Sequence, residues 1–242
     1  MTDANTKVVL ISGGGRGIGA SVAKRFLQDG WSVSIGMRNP QPAAWMQPWL
    51  DGAAANSLQL VGYDALDAAG EARWVGSAMA QFGRIDAIVA NAGIAISKSV
   101  VEIADEELQQ LLEVNVKAPR RLGSAAWEPL KASGHGRIIV LASLSGKRVK
   151  TARMGSYSVS KFAAVALAHA FRHAGFEFGI RATAICPGFV VSDMALAVGN
   201  AFPAEKMTNP DDLARIIAML VSLPNEASVA EFAIHCQLEE SY

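Results

Sequence analysis

The sequence predicts an α/β fold, a single domain built on a doubly wound, mostly parallel sheet. Three observations carry this. Short apolar segments rich in β-branched residues alternate with helix-period segments from one end of the chain to the other. Those short segments are apolar almost throughout rather than at every second residue, the pattern of strands covered on both faces. The 242 residues, 51% of them hydrophobic, suit one large α/β domain or two small ones, and no composition shift or internal repeat marks a second. Right-handed crossovers then wind the sheet in both directions.

Taken in order, residues 7–12 form the first strand. Residues 17–29 follow as a helix, with Ile18, Val22 and Phe26 on one face. Strands two and three are 32–36 and 58–62, and the Pro-, Ala- and Trp-rich stretch between them has room for a short helix at 45–50. A helix over 65–82 is stopped by Gly83. Strand four is 85–90, and a long helical stretch over 105–131 is interrupted at Pro119. Strand five is 137–142, a helix closed by Gly175 covers 156–174, and strand six is 180–186. A helix over 211–222 and a strand over 232–236 complete the pattern. Residues 188–209 are too many for an idle connection and read as a substrate lid, with surface decoration as the plainer alternative.

Composition excludes several classes. The net charge is zero, and no basic excess or stripe of the kind that nucleic acid requires is visible. The two cysteines, Cys186 and Cys236, are too few for a disulfide framework and fit no metal motif, so a reducing compartment is expected. No apolar run reaches the roughly 18 residues of a membrane span. The polar start of the chain lacks the apolar core of a signal peptide. A soluble, cytoplasmic protein without metal is expected.

The first strand runs directly into Ser12-Gly13-Gly14-Gly15-Arg16-Gly17-Ile18-Gly19-Ala20, where a helix begins. Glycines let the backbone turn sharply and approach a pyrophosphate, and a helix N-terminus offers free N–H groups to it. A purely structural glycine turn is the alternative. At the end of strand two, a carboxylate would accept from a ribose 2′-hydroxyl. Here the chain reads Ile35-Gly36-Met37-Arg38-Asn39. Arg38 can pair with a 2′-phosphate, and Arg16 adds a second cation, which favours NADP over NAD. The bland reading of Arg38 is a solvated loop arginine.

Tyr157 and Lys161 stand four apart on one helical face. A free phenol titrates near about 10, and a neighbouring cation lowers that value toward general acid/base use near neutrality. Ser143 follows strand five, Asn91-Ala92-Gly93 follow strand four, and Cys186-Pro187-Gly188 end strand six. All lie at carboxyl ends of strands, where open α/β sheets place ligands. Asn115 falls within the long helical stretch.

With these features in order and in register, the chain resembles the short-chain dehydrogenase/reductase family over nearly its whole length. The resemblance implies a Rossmann-like fold and hydride transfer between a nicotinamide dinucleotide and a carbonyl or secondary-alcohol substrate. It implies catalytic roles for four residues. Tyr157 is the general acid/base, Lys161 lowers its pKa and holds the nicotinamide ribose, Ser143 binds the substrate oxygen, and Asn115 supports a water linking Lys161 to solvent. The implied cofactor contacts are Gly13, Gly15, Arg16, Gly17, Ile18, Gly19, Arg38, Asp64 (at the adenine), Asn91, Ala92, Gly93, Tyr157, Lys161, Pro187, Gly188 and Val190, with the segment 185–190 beside the nicotinamide.

Ser12 and Ser192 stand where the family commonly has threonine. The end of the chain, Gln237-Leu238-Glu239-Glu240-Ser241-Tyr242, lacks the glycine-rich segment that often takes part in tetramers. A homodimer or homotetramer through residues 105–131 and 156–174 is implied. A non-catalytic NADP(H)-binding regulator on the same fold, or a structural partner using the long helices, would be the competing classes.

Other signals weigh less. His169 and His173 are four apart, but no acidic or cysteine partner stands with them in sequence, so solvated or interface histidines are expected. Lys147, Arg148, Lys150 and Arg153 form a basic run between Ser143 and Tyr157; it fits a solvated loop first and an anionic substrate second. Cys186 reads as a small core residue. Val191, Met194, Leu196, Val198 and Phe202 give the lid an apolar side, toward a pocket or toward the body.

Overall fold

A computed structural model describes residues 6–51, 56–197 and 202–238. The seven predicted strands are present: β1 Val8–Ser12, β2 Ser32–Met37, β3 Leu58–Gly62, β4 Ala87–Ala90, β5 Arg137–Leu141, β6 Arg181–Pro187 and β7 Glu231–Ile234. They form one sheet in the order β3-β2-β1-β4-β5-β6-β7, and every neighbouring pair is parallel.

Side chains alternate across the pleat into two apolar layers. Leu10, Ile88, Ile138 and Ala184 face helices α3 (Gly70–Phe82), α5 (Ala118–Ala125) and α7 (Gly155–Gly175), through Trp74, Leu122 and Phe171. Val9, Ile11, Val89 and Ile139 face helices α1 (Gly17–Gln28) and α9 (Pro210–Ser222), through Val22, Phe26, Leu213 and Ile217. This is the doubly wound, Rossmann-like arrangement that continuous apolar strands predict. The sheet direction reverses between β1 and β4, so a crevice opens at their carboxyl ends.

Two element boundaries differ from the sequence reading. The helix expected from residue 65 starts at Gly70, because Asp64 and Asp67 take the backbone into turns. Their Oδ1 atoms accept from the N–H groups of Leu66 and Ala69, each at 3.0 Å. The stretch 105–131 is four pieces: α4 (Asp105–Leu112), a π-helical turn (Glu113–Lys117), α5, and α6 (Trp127–Ala132). Pro119 sits in the first turn of α5, where its missing N–H costs little. The break falls at Ala126 instead, three residues before Pro129, whose ring would meet the carbonyl four residues back if one helix continued. The short helix expected near Trp45 is a 3-10 turn (Ala44–Met46) followed by α2 (Gln47–Leu50).

Candidate active site

The glycine-rich turn is fastened to the next strand across the switch point. The Ser12 hydroxyl accepts from the N–H groups of Asn91 and Ala92, each at 3.0 Å, so the retained hydroxyl is used. The Asn91 side-chain amide donates back to the carbonyls of Ser12 (2.9 Å) and Gly13 (3.2 Å). Gly13 has φ +69°, and a Cβ on Gly19 would lie 2.4 Å from the Gly13 carbonyl oxygen and 2.6 Å from the Asn91 amide. Both glycines are therefore required by the turn itself. Helix α1 begins beneath it, and no side chain caps its first N–H groups.

Three side chains, Ser143, Tyr157 and Lys161, come together at the carboxyl edge beside β5 and β6. Tyr157 and Lys161, on the first turns of α7, are both buried. Burial pushes the Tyr157 phenol up to about 12, and a hydrogen bond with the Ser143 hydroxyl pulls it the other way. Burial brings the Lys161 ammonium down to about 8; its Nζ donates to the Leu141 carbonyl at 2.8 Å and lies 5.7 Å from the Tyr157 ring centre. Desolvation dominates, and the ammonium is directed at a carbonyl rather than at the phenol oxygen.

Asn115 is buried within the π-helical turn. Its Oδ1 accepts from the Ile94 N–H at 3.0 Å, and its amide donates to the Ile94 carbonyl (2.9 Å) and to Ser160 Oγ (3.0 Å). Asn115 thus ties the segment after β4 to α7. A Cβ on Gly93 would lie 3.1 Å from Asn115 Oδ1 and 3.5 Å from Lys161 Nζ, so Gly93 lets the chain pass between them.

One cavity of about 1450 Å³ joins these features. That exceeds the ~300–1,000 Å³ usual for one small ligand and leaves room for a dinucleotide with a second molecule. Of the residues expected in the site, Gly13, Gly15, Arg16, Gly17, Ile18, Arg38, Asp64, Asn91, Ala92, Gly93, Ser143, Tyr157, Lys161, Pro187, Gly188 and Val190 line it. Gly19 and Asn115 stand behind its wall.

Arg16 is paired with Asp193 on the short helix α8 (Asp193–Ala197). The glycine turn is thereby joined to the segment expected as a lid. That segment is closed at its base, since Val191 N–H donates to the Thr208 carbonyl (3.1 Å) and Thr208 N–H to the Phe189 carbonyl (3.0 Å). Phe189 stacks on Phe202 with ring centres 5.4 Å apart. Met194 and Phe202 line the cavity, while Val198 lies outside the described residues.

Sequence reasoning missed His235, Cys236 and Gln237, which also line the cavity. They follow β7, and the carboxyl end of a parallel strand was the available signal. It also missed the partner of His169, whose ring lies 2.6 Å from the carboxylate of Glu231, 62 residues away in sequence. The same carboxylate takes Lys147, so one member of the basic run points away from the cavity. Among the described residues, no third acidic, His or Cys group completes a metal site there.

The sheet order, the uncapped helix at the switch point and the Ser–Tyr–Lys cluster at the carboxyl edge define an α/β protein of the dinucleotide-binding oxidoreductase type. The chain belongs to the short-chain dehydrogenase family, whose model matches residues 7–201. It is 31% identical over 96% of its length to an agropine synthesis reductase of Rhizobium rhizogenes, and spans about half (53%) of that relative. An alcohol dehydrogenase of the archaeon Thermococcus sibiricus, solved in complex with 5-hydroxy-NADP, superposes with a TM-score of 0.86 at 27% identity, covering 98% of this chain and 100% of the other. A 3-ketoacyl-(acyl-carrier-protein) reductase of Brucella melitensis, complexed with NADH, gives a TM-score of 0.82 at 25% identity, over 96% and 97% of the two chains.

Proposed function

We propose that this chain is an NADP(H)-dependent oxidoreductase that interconverts a carbonyl and an alcohol, with Tyr157 as the general acid/base. The observation that carries the reading is that the buried Tyr157 phenol and Ser143 line the same cavity as the uncapped start of α1. The first N–H groups of α1 suit a pyrophosphate, and the glycines leave it room. In this reading Lys161 and Tyr157 hold the nicotinamide ribose, and Asp64 the adenine. The bound nicotinamide supplies or accepts the hydride.

The protein's own part is position and proton control. Ser143 and Tyr157 receive the substrate oxygen between their hydroxyls. In reduction the Tyr157 hydroxyl gives its proton to that oxygen; in oxidation the phenolate takes it back. Asn115 keeps the segment 91–94 against α7, which sets the cavity wall beside Lys161. The segment 188–209, closed at its base, acts as the lid.

NADP is favoured over NAD by Arg38 at the cavity wall and by the lack of a carboxylate at the end of β2. The two solved relatives hold an NADP derivative and NADH respectively, so the choice rests on this chain's own residues. Val159 and Phe162, exposed on α7, fit assembly of copies through that helix.

The competing reading is a cofactor-binding regulator without turnover on the same fold. A screen of ketones, aldehydes and secondary alcohols with NADPH/NADP and NADH/NAD separates the two. Turnover that falls at least about 100-fold in Tyr157→Phe, with NADPH binding kept, supports the enzyme. NADPH binding without turnover of any substrate, or activity unchanged in Tyr157→Phe, supports the regulator.

A further inference from the structure

A largely buried charged cluster lies where α3, the π-helical turn and α5 meet. Glu71, in the first turn of α3, is buried, and its Oε1 accepts from the Tyr63 hydroxyl at 3.0 Å. Arg121 of α5 reaches the same carboxylate: its Nε donates to Oε2 at 2.8 Å and its Nη2 to Oε1 at 3.2 Å. Nη2 also donates to the Ala65 carbonyl at 2.8 Å. Nη1 is paired with Glu113, which opens the π-helical turn. Lys117 Nζ lies 3.0 Å from the other oxygen of Glu113, so two cations answer two carboxylates.

The stretches that Arg121 holds come from separate places in the sheet. Tyr63 and Ala65 follow β3 and line the cavity, and the Tyr63 ring is propped by Trp74 with ring centres 5.0 Å apart. The π-helical turn carries Asn115, which grips Ile94 after β4 and Ser160 next to Lys161 on α7. Strands β2 and β1 stand between β3 and β4. The carboxyl ends of β3 and β4 are therefore three strand spacings, about 14 Å, apart, too far for a sheet hydrogen bond to join them. The guanidinium of Arg121 joins them from the helical layer. Pairing α3 with α5 would need Glu71 alone; the Ala65 carbonyl and Glu113 add the two stretches to the clamp. Side-chain exposure is 13% for Arg121 and 1% for Glu71, so little water is at hand to replace a lost partner. A planar fork serves three acceptors at once, which a lysine ammonium on a flexible stem does not.

We propose that Arg121 is a positioning residue for two parts of the cavity, holding the turn 63–66 and the π-helical turn that carries Asn115 in fixed relation. It acts through Ala65, Tyr63 and Asn115. Assigning the first part to the adenine and the second to the reacting groups rests on the oxidoreductase reading, whereas the clamp rests on its own contacts.

The test uses the full chain with Arg121→Lys, which keeps the charge and loses the fork, and Glu113→Ala, which releases the π-helical turn alone. Two amides report the two parts by hydrogen exchange. The Asp67 N–H bonds the Asp64 carbonyl at 3.1 Å, and the Ile94 N–H bonds Asn115 Oδ1 at 3.0 Å. Calorimetry with adenosine 2′,5′-bisphosphate, which lacks the nicotinamide, reads the first part without turnover. In Arg121→Lys both amides are expected to exchange at least about tenfold faster relative to those of β1. The bisphosphate is expected to bind at least about tenfold more weakly, the scale of a small misplacement of supporting groups. In Glu113→Ala only Ile94 is expected to exchange faster, with bisphosphate affinity kept within about twofold.

Exchange that quickens evenly over the whole sheet marks a merely structural ion pair and overturns the proposal. So does an Ile94 amide unchanged in both variants, or bisphosphate affinity unchanged in Arg121→Lys. If Arg121→Lys does not fold, the Ile94 amide in Glu113→Ala decides in the same way. A wild type that binds no bisphosphate overturns the dinucleotide reading, and the exchange rates still decide the clamp.

Discussion

Replacing Lys161 with methionine should stabilise the protein free of cofactor, by an amount that depends on pH in a stated direction. Burial lowers the Lys161 pKa from 10.5 to about 8. At ~1.4 kcal/mol per tenfold change, the folded state disfavours the ammonium by about 3 kcal/mol when the lysine is charged. The Lys161→Met substitution would remove that cost and would also remove the hydrogen bond to the Leu141 carbonyl, worth about 1–3 kcal/mol to a charged donor. The net gain near neutrality is therefore about 1 kcal/mol.

The pH dependence is the sharper quantity. Between the folded and unfolded pKa values the unfolded chain binds more protons, so wild-type stability rises as pH goes from about 8 to 10.5. Below that window the full cost is present, and above it none. Cys186, raised to about 11, and Tyr157, raised to about 12, act with the opposite sign in the alkaline range. Both proteins share them, so Tyr157 cancels in the difference, and Cys186 differs only through its charge interaction with Lys161, a smaller effect than desolvation. Urea unfolding of the wild type and of Lys161→Met, at about pH 7 and about pH 10.5, should show the methionine variant's advantage shrinking by about 3 kcal/mol as the pH rises. An advantage that stays constant, or grows, would refute the account of a buried, penalised ammonium.

Three other outcomes are expected. Gly19→Ala drives a Cβ to 2.4 Å from the Gly13 carbonyl oxygen, so dinucleotide binding should be lost or weakened more than about tenfold while far-ultraviolet circular dichroism still shows the fold. Arg38→Asp should weaken NADPH at least about tenfold and leave NADH much less affected, as read by fluorescence titration with each nucleotide; unchanged NADPH affinity would remove Arg38 from the site. Glu71→Ala leaves the part-buried Arg121 with Glu113 as its carboxylate and removes the acceptor of the Tyr63 hydroxyl. Its cost should be about 3 kcal/mol in chemical denaturation; a change below about 1 kcal/mol would show that Glu113 alone suffices.

What was legible in the sequence follows from how locally each feature is determined. Strands buried on both faces announce themselves as unbroken apolar runs, and the seven strands appear within a residue or two of the predicted places. Helix starts and breaks depend on single side chains. Asp64 and Asp67 redirect the backbone before α3, and Pro129, not Pro119, divides the helices after the π-helical turn. Most residues expected in the site line one cavity because they follow the carboxyl end of a strand or open a helix there, whereas Asn115, inside the π-helical turn, does neither. The electrostatics of the site were not legible. The partner of Arg16 is Asp193, 177 residues away, and the ammonium of Lys161 answers to a backbone carbonyl of β5. A spacing of four residues puts a lysine on the same face as a tyrosine but does not say which oxygen takes its proton.

The seam between β1 and β4 is stapled at both ends. At its start, Asp86 Oδ2 accepts from the Val8 N–H at 2.8 Å and the Asp86 N–H donates to the Val8 carbonyl at 2.9 Å; at its finish, Asn91 grips Ser12 and Gly13. In a parallel sheet this joint cannot form by a hairpin, and 78 residues separate Val8 from Asp86. The glycine turn is therefore complete only after two stretches distant in the chain have met. During refolding, helical signal should appear first and nucleotide capture should lag it, with the delay set by closure of this long loop.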